Sequence, residues 1–177
     1  PTRRSSDLVS FKPYPCCRYT HPSIDAAAAL LRECNLKAKD IESILVHVGK
    51  TAYGVVGTPL EIKRNPRNAV DAQFSIPWAV ACAVVRGKVT VGDMTDEATK
   101  DRDLLDMSRR VSVVQEKELC LPGIEPSIVD LKTKDGKTHT RRVDAPYGSP
   151  QNPMSLEALA KKLYDAVPDG YRRMTSE

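Results

Sequence analysis

The stretch Ala69–Val89, AVDAQFSIPWAVACAVVRGKV, is the most apolar part of the chain, and its reading decides the fold. Pro77 lacks an N–H and has a fixed φ, so it is tolerated in the first turn of a helix and disruptive further in. That places a helix mainly over Ile76–Arg86, and Gly87 follows where a left-handed cap would close it. Downstream, Thr95–Arg110 carries Asp96 and Glu97 early and Arg109 and Arg110 late, which suits the helix dipole, and Leu104, Leu105 and Met107 give it a buried side. Val111–Gln115 reads as a short strand. Ser127–Thr133 and Lys137–Val143 flank Asp135-Gly136, the strongest short-range hairpin signal in the chain, so these two strands are expected to be antiparallel. A Pro/Gly loop over 144–153 leads to Ser155, placed to cap a closing helix that runs to about Val167.

Upstream of the apolar stretch, Thr51–Asn68 is rich in Gly, Pro and Arg and reads as a long loop. Loops of that length inside a compact domain are more often functional than not. Ile41–Gly49 is dense in branched residues and forms a strand with a buried face. Thr20 and His21 precede Pro22 at a favourable first helical position, and Ile24, Ala27, Ala28, Leu30 and Leu31 supply an apolar stripe as far as Cys34. Before that helix, Pro13 and Pro15 hold Lys12 and Tyr14 extended, so Val9–Tyr19 is a loop with fixed kinks. Helices interspersed with a few strands give an α+β domain, with helices packed on one face of a small antiparallel sheet.

Composition narrows the function classes. Of 177 residues, 41% are hydrophobic and 28% charged, a balance that suits one globular domain. No apolar run reaches the roughly 20 residues of a membrane-spanning helix, and no apolar secretory signal opens the chain, so a cytoplasmic or organelle-matrix location is expected, with no membrane partner. The net charge of +4 is dispersed and aromatic content is 5%, which argues against nucleic acid as a partner. Five cysteines, Cys16, Cys17, Cys34, Cys82 and Cys120, lack CxxC spacing and read as reduced thiols. His47 and His139 sit in strands without the clustered ligands that a metal site requires, so no metal is assigned.

The first eight residues, PTRRSSDL, have no apolar periodicity and look like the translation of a sequencing-adapter oligonucleotide; an ordinary polar leader is the competing reading. The expected organisation is an artefactual 1–8, an α+β domain over 9–168, and a polar tail over 169–177.

Several long strings then agree, in order, with one family. FKPYPCCRYTHPSIDAA (11–27), the apolar stretch over 69–89, KTKDGKTHTRR (132–142) and APYGSPQNPMSLEALAKKL (145–163) resemble the carboxy-terminal part of MmgE/PrpD proteins, so the resemblance covers roughly Val9 to Ala166. The resemblance implies a two-domain, usually homodimeric enzyme in which this α+β unit is a lid over a larger helical domain absent from the chain. The family includes 2-methylcitrate dehydratase, cis-aconitate decarboxylase and iminodisuccinate epimerase, which act on small di- and tricarboxylic acids without metal or organic cofactor. Their common problem is negative charge developing on carbon beside a carboxylate.

By that resemblance Lys12 matches a site lysine, where a cation can pair with a carboxylate and stabilise an enolate-like transition state. Tyr53 aligns with a pocket tyrosine; packing in the core is its competing role. His21 stands at a helix entrance, where a neutral imidazole can move a proton or simply cap its helix. Arg18 and Arg67, with Lys63 and Arg64, bring positive charge to the same two loops, and an arginine fork can bind a carboxylate bidentately. Cys17 stands where the decarboxylase branch looks to have a histidine, which makes decarboxylation less expected here; Cys16 and Cys17 otherwise read as small packing residues. Gln73, Phe74 and Ser75 read as a structural junction at a helix entry. The expected activity is dehydration of a hydroxylated tricarboxylate, with dicarboxylate epimerisation or a non-catalytic interaction module as alternatives.

Overall fold

A computed structural model describes residues 9–123 and 125–166, so the adapter-like segment 1–8 and the polar tail 169–177 lie outside the described residues. The described chain divides into two compact units, a main one spanning Tyr14–Pro146 and a smaller one that joins the amino-terminal residues up to Pro13 to the segment from Tyr147 onward.

The main unit is α+β. Its helices are α1 (His21–Glu33), α2 (Lys50–Ala52), α3 (Leu60–Arg64), α4 (Ala69–Gln73), α5 (Ile76–Arg86) and α6 (Arg102–Arg109). Its strands β1 (Ile41–Val48), β2 (Val111–Gln115), β3 (Ser127–Thr133) and β4 (Thr138–Val143) form one sheet in the order β2-β1-β3-β4. The β3–β4 hairpin is antiparallel and turns through Gly136 at φ +86. The sheet as a whole is mixed, which corrects the expectation of an antiparallel one: β1 and β2 run parallel, Ile44 opposite Val111 and Val48 opposite Gln115. A parallel neighbour requires a crossover, and the helical segment between β1 and β2 provides it.

Alternation along the strands sorts the two faces of the sheet. Ile44, Val46 and Val48 of β1, Val111 and Val113 of β2, and Val129 and Leu131 of β3 point to one side, where they meet Ala26, Ala27 and Leu30 of α1 and Ile76, Val80, Ala81 and Val84 of α5. The far side of α5 is also covered. Trp78, Ala79, Cys82 and Ala83 pack with Ile24, Ala72, Val89, Met94 and Leu104 in a second cluster. Trp78 is wholly buried, and its indole N–H donates to the Asp93 carbonyl at 2.9 Å. A helix apolar on all sides is a core element, and α5 is one.

Local chemistry sets the helix ends. Ser75 Oγ accepts from the Trp78 N–H and Pro77 occupies the first turn of α5; Gly87 closes it at φ +69. The helix foreseen over Thr95–Arg110 is confined to Arg102–Arg109, because the Asp101 carboxylate caps the N–H groups of Asp103 and Leu104 and starts it anew. The long loop foreseen over Thr51–Asn68 is instead largely helical, with α2 running into a π-helical turn over Tyr53–Gly57 and α3 following. The buried Glu125 carboxylate, brought from beside β3, accepts from the N–H groups of Thr51 (3.2 Å) and Ala52 (2.8 Å) and so caps α2 from a distance.

In the smaller unit, the Phe11 N–H donates to the Gly148 carbonyl at 2.9 Å, and Gly148 turns at φ +81. Helix α7 (Leu156–Ala166) begins as expected, with Ser155 Oγ accepting from the Ala158 N–H. Leu156 and Leu163 on this helix are exposed.

Gly49 has no room for a side chain. A Cβ there would stand 2.5 Å from the Glu125 carboxyl carbon and 2.6 Å from the Leu119 carbonyl oxygen, whereas one at Gly54 would meet nothing within 4 Å. Gly49→Ala is therefore expected to cost about 1–3 kcal/mol through overpacking against backbone. Gly54→Ala, in a helical turn, should be neutral or stabilise by a few tenths. Urea midpoints of the two variants measure the contrast.

Candidate functional site

Two chain segments meet at the entrance to α5. The turn Arg18–Thr20 packs against the π turn Tyr53–Gly57, and the Cys17 N–H donates to the Gln73 carbonyl at 2.8 Å. Single π-helical turns recur at functional sites because they re-aim side chains out of the regular ladder. Tyr53 opens this one; its ring is half-buried on the core and lies alongside Gly57, whose missing side chain makes room for Val113.

Lys63 fastens the arrangement. Its ammonium donates to the carbonyls of Val55 (2.9 Å) and Phe74 (2.6 Å), so it bridges the π turn to the α4–α5 junction. Burial lowers its pKa, partly offset by Asp71 and Cys17. Arg64 ties α3 to the sheet, donating to the Val111 carbonyl at 2.7 Å and to Ser112 Oγ at 2.8 Å. Ser75 Oγ also donates to the Lys63 carbonyl at 2.5 Å, so Gln73, Phe74 and Ser75 do form a structural junction. Sequence reasoning noted Lys63 only as one of four positive charges near the same two loops; nothing local signals that carbonyls from two other segments converge on it.

The residues singled out by sequence are distributed as follows. His21 is fully buried at the start of α1, packed edge-on against Tyr14 with ring centroids 5.1 Å apart. Arg18 Nη1 stands 2.8 Å from His21 Nδ1, and a guanidinium can only donate, so Nδ1 carries the lone pair and the proton sits on Nε2, facing the Cys16 carbonyl at 3.4 Å. This is a neutral imidazole in a fixed tautomer. Tyr14 in turn donates to Asp25 at 2.6 Å, and burial followed by the Asp25 charge pushes its phenol well above its ordinary range. Burial lowers the Arg18 pKa, with Asp25 opposing. Cys17 is half-buried and packs on the core, its carbonyl accepting from both the N–H and the hydroxyl of Thr20. Arg67 is exposed and pairs with Asp71 at 2.8 Å. Cys17, Arg18, His21, Tyr53 and Arg67 all belong to the main unit. Lys12 belongs to the smaller one; its side chain is exposed, its amine has no partner among the described residues, and its carbonyl accepts from Lys162.

A second polar group lies on the opposite face of the sheet. His47 Nδ1 is 2.9 Å from Glu116 and Nε2 is 3.0 Å from Asp130, which also accepts from Thr140 at 2.5 Å. Both ring nitrogens facing carboxylates match the imidazolium, which alone donates from both. Burial pulls the His47 pKa down, but the Glu116 and Asp130 hydrogen bonds and charges more than offset it, and the net shift is upward from 6.5. Asp130 comes from β3 and Glu116 lies just past the end of β2, so the sequence around His47 held no sign of them. Among the described residues no group of three or more His, Cys, Asp or Glu is arranged to hold a metal ion, and no helix is long and apolar enough to cross a membrane.

The fold is α+β, the class expected from the sequence. The family model described as MmgE/PrpD C-terminal domain matches residues 14–175, and the chain belongs to the MmgE/PrpD family. It is similar to cis-aconitate decarboxylase of Mus musculus, 25% identical over 167 residues that cover 88% of this chain and 32% of the relative. It is also similar to the mitochondrial 2-methylcitrate dehydratase of Yarrowia lipolytica, 24% identical over 153 residues that cover 79% of this chain and 28% of the relative. Both relatives are lyases by name, and the chain spans about a third of their length.

The elevated His47 pKa carries a sign. A group whose folded-state pKa lies above its unfolded value contributes stability that is present below the unfolded value, near 6.5, and is lost as pH rises through the folded one. Glu116→Gln and Asp130→Asn should each lower the His47 titration midpoint and flatten the stability decline above pH 6.5, as read by NMR titration of the imidazole and by urea midpoints across that range.

Proposed function

We propose that this chain is the carboxy-terminal part of a cofactor-independent lyase acting on small di- or tricarboxylic acids, with dehydration of a hydroxylated tricarboxylate as its reaction. The observation that carries this reading is the similarity, over most of the chain, to two lyases whose names specify citrate- and aconitate-type acids. Cys17, where the family resemblance implies a histidine in the decarboxylase branch, favours dehydration over decarboxylation. Epimerisation of a dicarboxylate begins with the same proton movement and is the second reading within the family.

The chemistry asks for a cation beside a carboxylate, since removing the α-proton builds negative charge that the carboxylate must absorb. Lys12 is suited to that role. It sits on a segment stiffened by Pro13, and its amine is not engaged by any described residue. Arg18 and Arg67 are the further cations that would orient the carboxylates, and the Tyr53 phenol would deliver a proton to the departing hydroxide. His21, neutral and held by Arg18, would move a proton only if its Nε2 edge came within reach of substrate; otherwise it keeps the Cys16–Thr20 turn in place. The remaining acid/base groups would come from a helical domain outside this chain, in a cytoplasmic homodimer.

Three outcomes test this reading. The 177-residue chain alone should show no turnover of 2-methylcitrate or related acids, while the complete polypeptide should exchange solvent deuterium into the carbon beside a carboxylate and release water. Lys12→Ala in the complete polypeptide should lower kcat by about 10²–10³-fold, the magnitude expected when a donor to a developing oxyanion is removed. Dehydratase activity from the isolated chain would refute the divided site.

A further inference from the structure

A thiol and an imidazole meet at a second place, remote in sequence from the α5 entrance. Cys34 ends α1, where the chain reverses through Asn35 at φ +51, and His139 comes from β4; Cys34 Sγ lies 3.3 Å from His139 Nδ1. Both residues line a cavity of about 430 Å³ whose wall includes Lys39, Lys134 and Lys137. Asp135 pairs with Lys137 at 2.9 Å, and Asp40 Oδ2 accepts from the Lys37 N–H. Lys39 and Lys134 form no ion pair with any described residue, and set against the Asp40 carboxylate they leave the wall net positive. The cavity thus holds a half-buried thiol, an imidazole that can accept its proton, and a net positive wall.

The imidazole offers the thiol proton a destination 3.3 Å away, and the lysines of the wall present positive charge to an anionic ligand. We infer that Cys34, with His139 and the surrounding lysines, is a modification site that takes low-molecular-weight disulfides bearing carboxylates. The thiol proton passes to His139 Nδ1 and Cys34 Sγ attacks one sulfur of the disulfide. A protein–ligand S–S bond forms as the ligand's own S–S bond breaks, and the departing thiolate takes the proton back from His139. Cys34 sulfur is oxidised and the departing sulfur reduced, so no further oxidant is needed. This inference is independent of the lyase reading, since none of its residues belongs to that site.

Cys120 is exposed and forms no disulfide, and serves as an internal reference. The full chain would be treated with glutathione disulfide, which is anionic, or with cystamine, which is cationic, and each cysteine followed by peptide-resolved mass spectrometry. Cys34 is expected to react with glutathione disulfide about tenfold faster than Cys120, and to lose that advantage with cystamine. His139→Ala should slow Cys34 by about tenfold without changing the Cys120 rate, which doubles as a control for folding. Equal rates at Cys34 and Cys120 with the anionic reagent, the same advantage with both reagents, or a Cys34 rate unaffected by His139→Ala would each overturn the assignment.

Discussion

The constraint on which the main unit depends is the burial of α5 on every side. A helix with Ile76, Trp78, Ala79, Val80, Ala81, Cys82 and Ala83 all at or near zero exposure must be covered by two layers. The sheet and α1 supply one, and the segment from Val89 through α6 supplies the other. Burying side chains of this size contributes roughly 1.5–3 kcal/mol each for the larger ones, so the two clusters outweigh any single polar contact in the unit. Asp93 illustrates the coupling: its carbonyl receives the Trp78 indole, while its carboxylate accepts from the N–H and hydroxyl of Thr90 and turns the chain over the helix.

The candidate site is hung on the start of that same helix. Ser75 caps α5 and also donates to Lys63, whose ammonium holds the π turn; Gln73, two residues earlier, receives the Cys17 N–H. A rigid buried element therefore fixes two otherwise irregular segments, those carrying Cys17–His21 and Tyr53. Glu125 adds a remote cap beneath Tyr53, and its approach is possible only because Gly49 lacks a side chain. Functional groups placed on loops need this kind of support to hold a geometry.

Elements whose signals are local were legible in the sequence. Pro77 and Gly87 bracket α5, Asp135-Gly136 marks the hairpin, and Ser155 starts α7. What sequence missed depends on distant partners. The helices within 51–68 have five or fewer residues each, too short to show a period, and are stabilised by Glu125, Lys63 and Arg64 reaching across the fold. The parallel pairing of β1 and β2 joins segments more than sixty residues apart, with no turn between them to announce it. His47 looked solitary because Glu116 and Asp130 lie 69 and 83 residues away along the chain. Residues such as Lys12 and Tyr53 were singled out through resemblance to a family, since a lysine beside a proline and a tyrosine before a glycine carry no reaction by themselves.

The proposed lyase chemistry rests on family membership and the names of two relatives, and an uncommitted amine on a proline-stiffened segment is its physical foothold. The most direct measurement is a crystal structure of the complete polypeptide with a non-reactive tricarboxylate bound. The account predicts Lys12 Nζ at about 2.7–2.9 Å from a ligand carboxylate oxygen, the distance of a charge-assisted hydrogen bond. A ligand bound elsewhere, with that amine in bulk water, would contradict it.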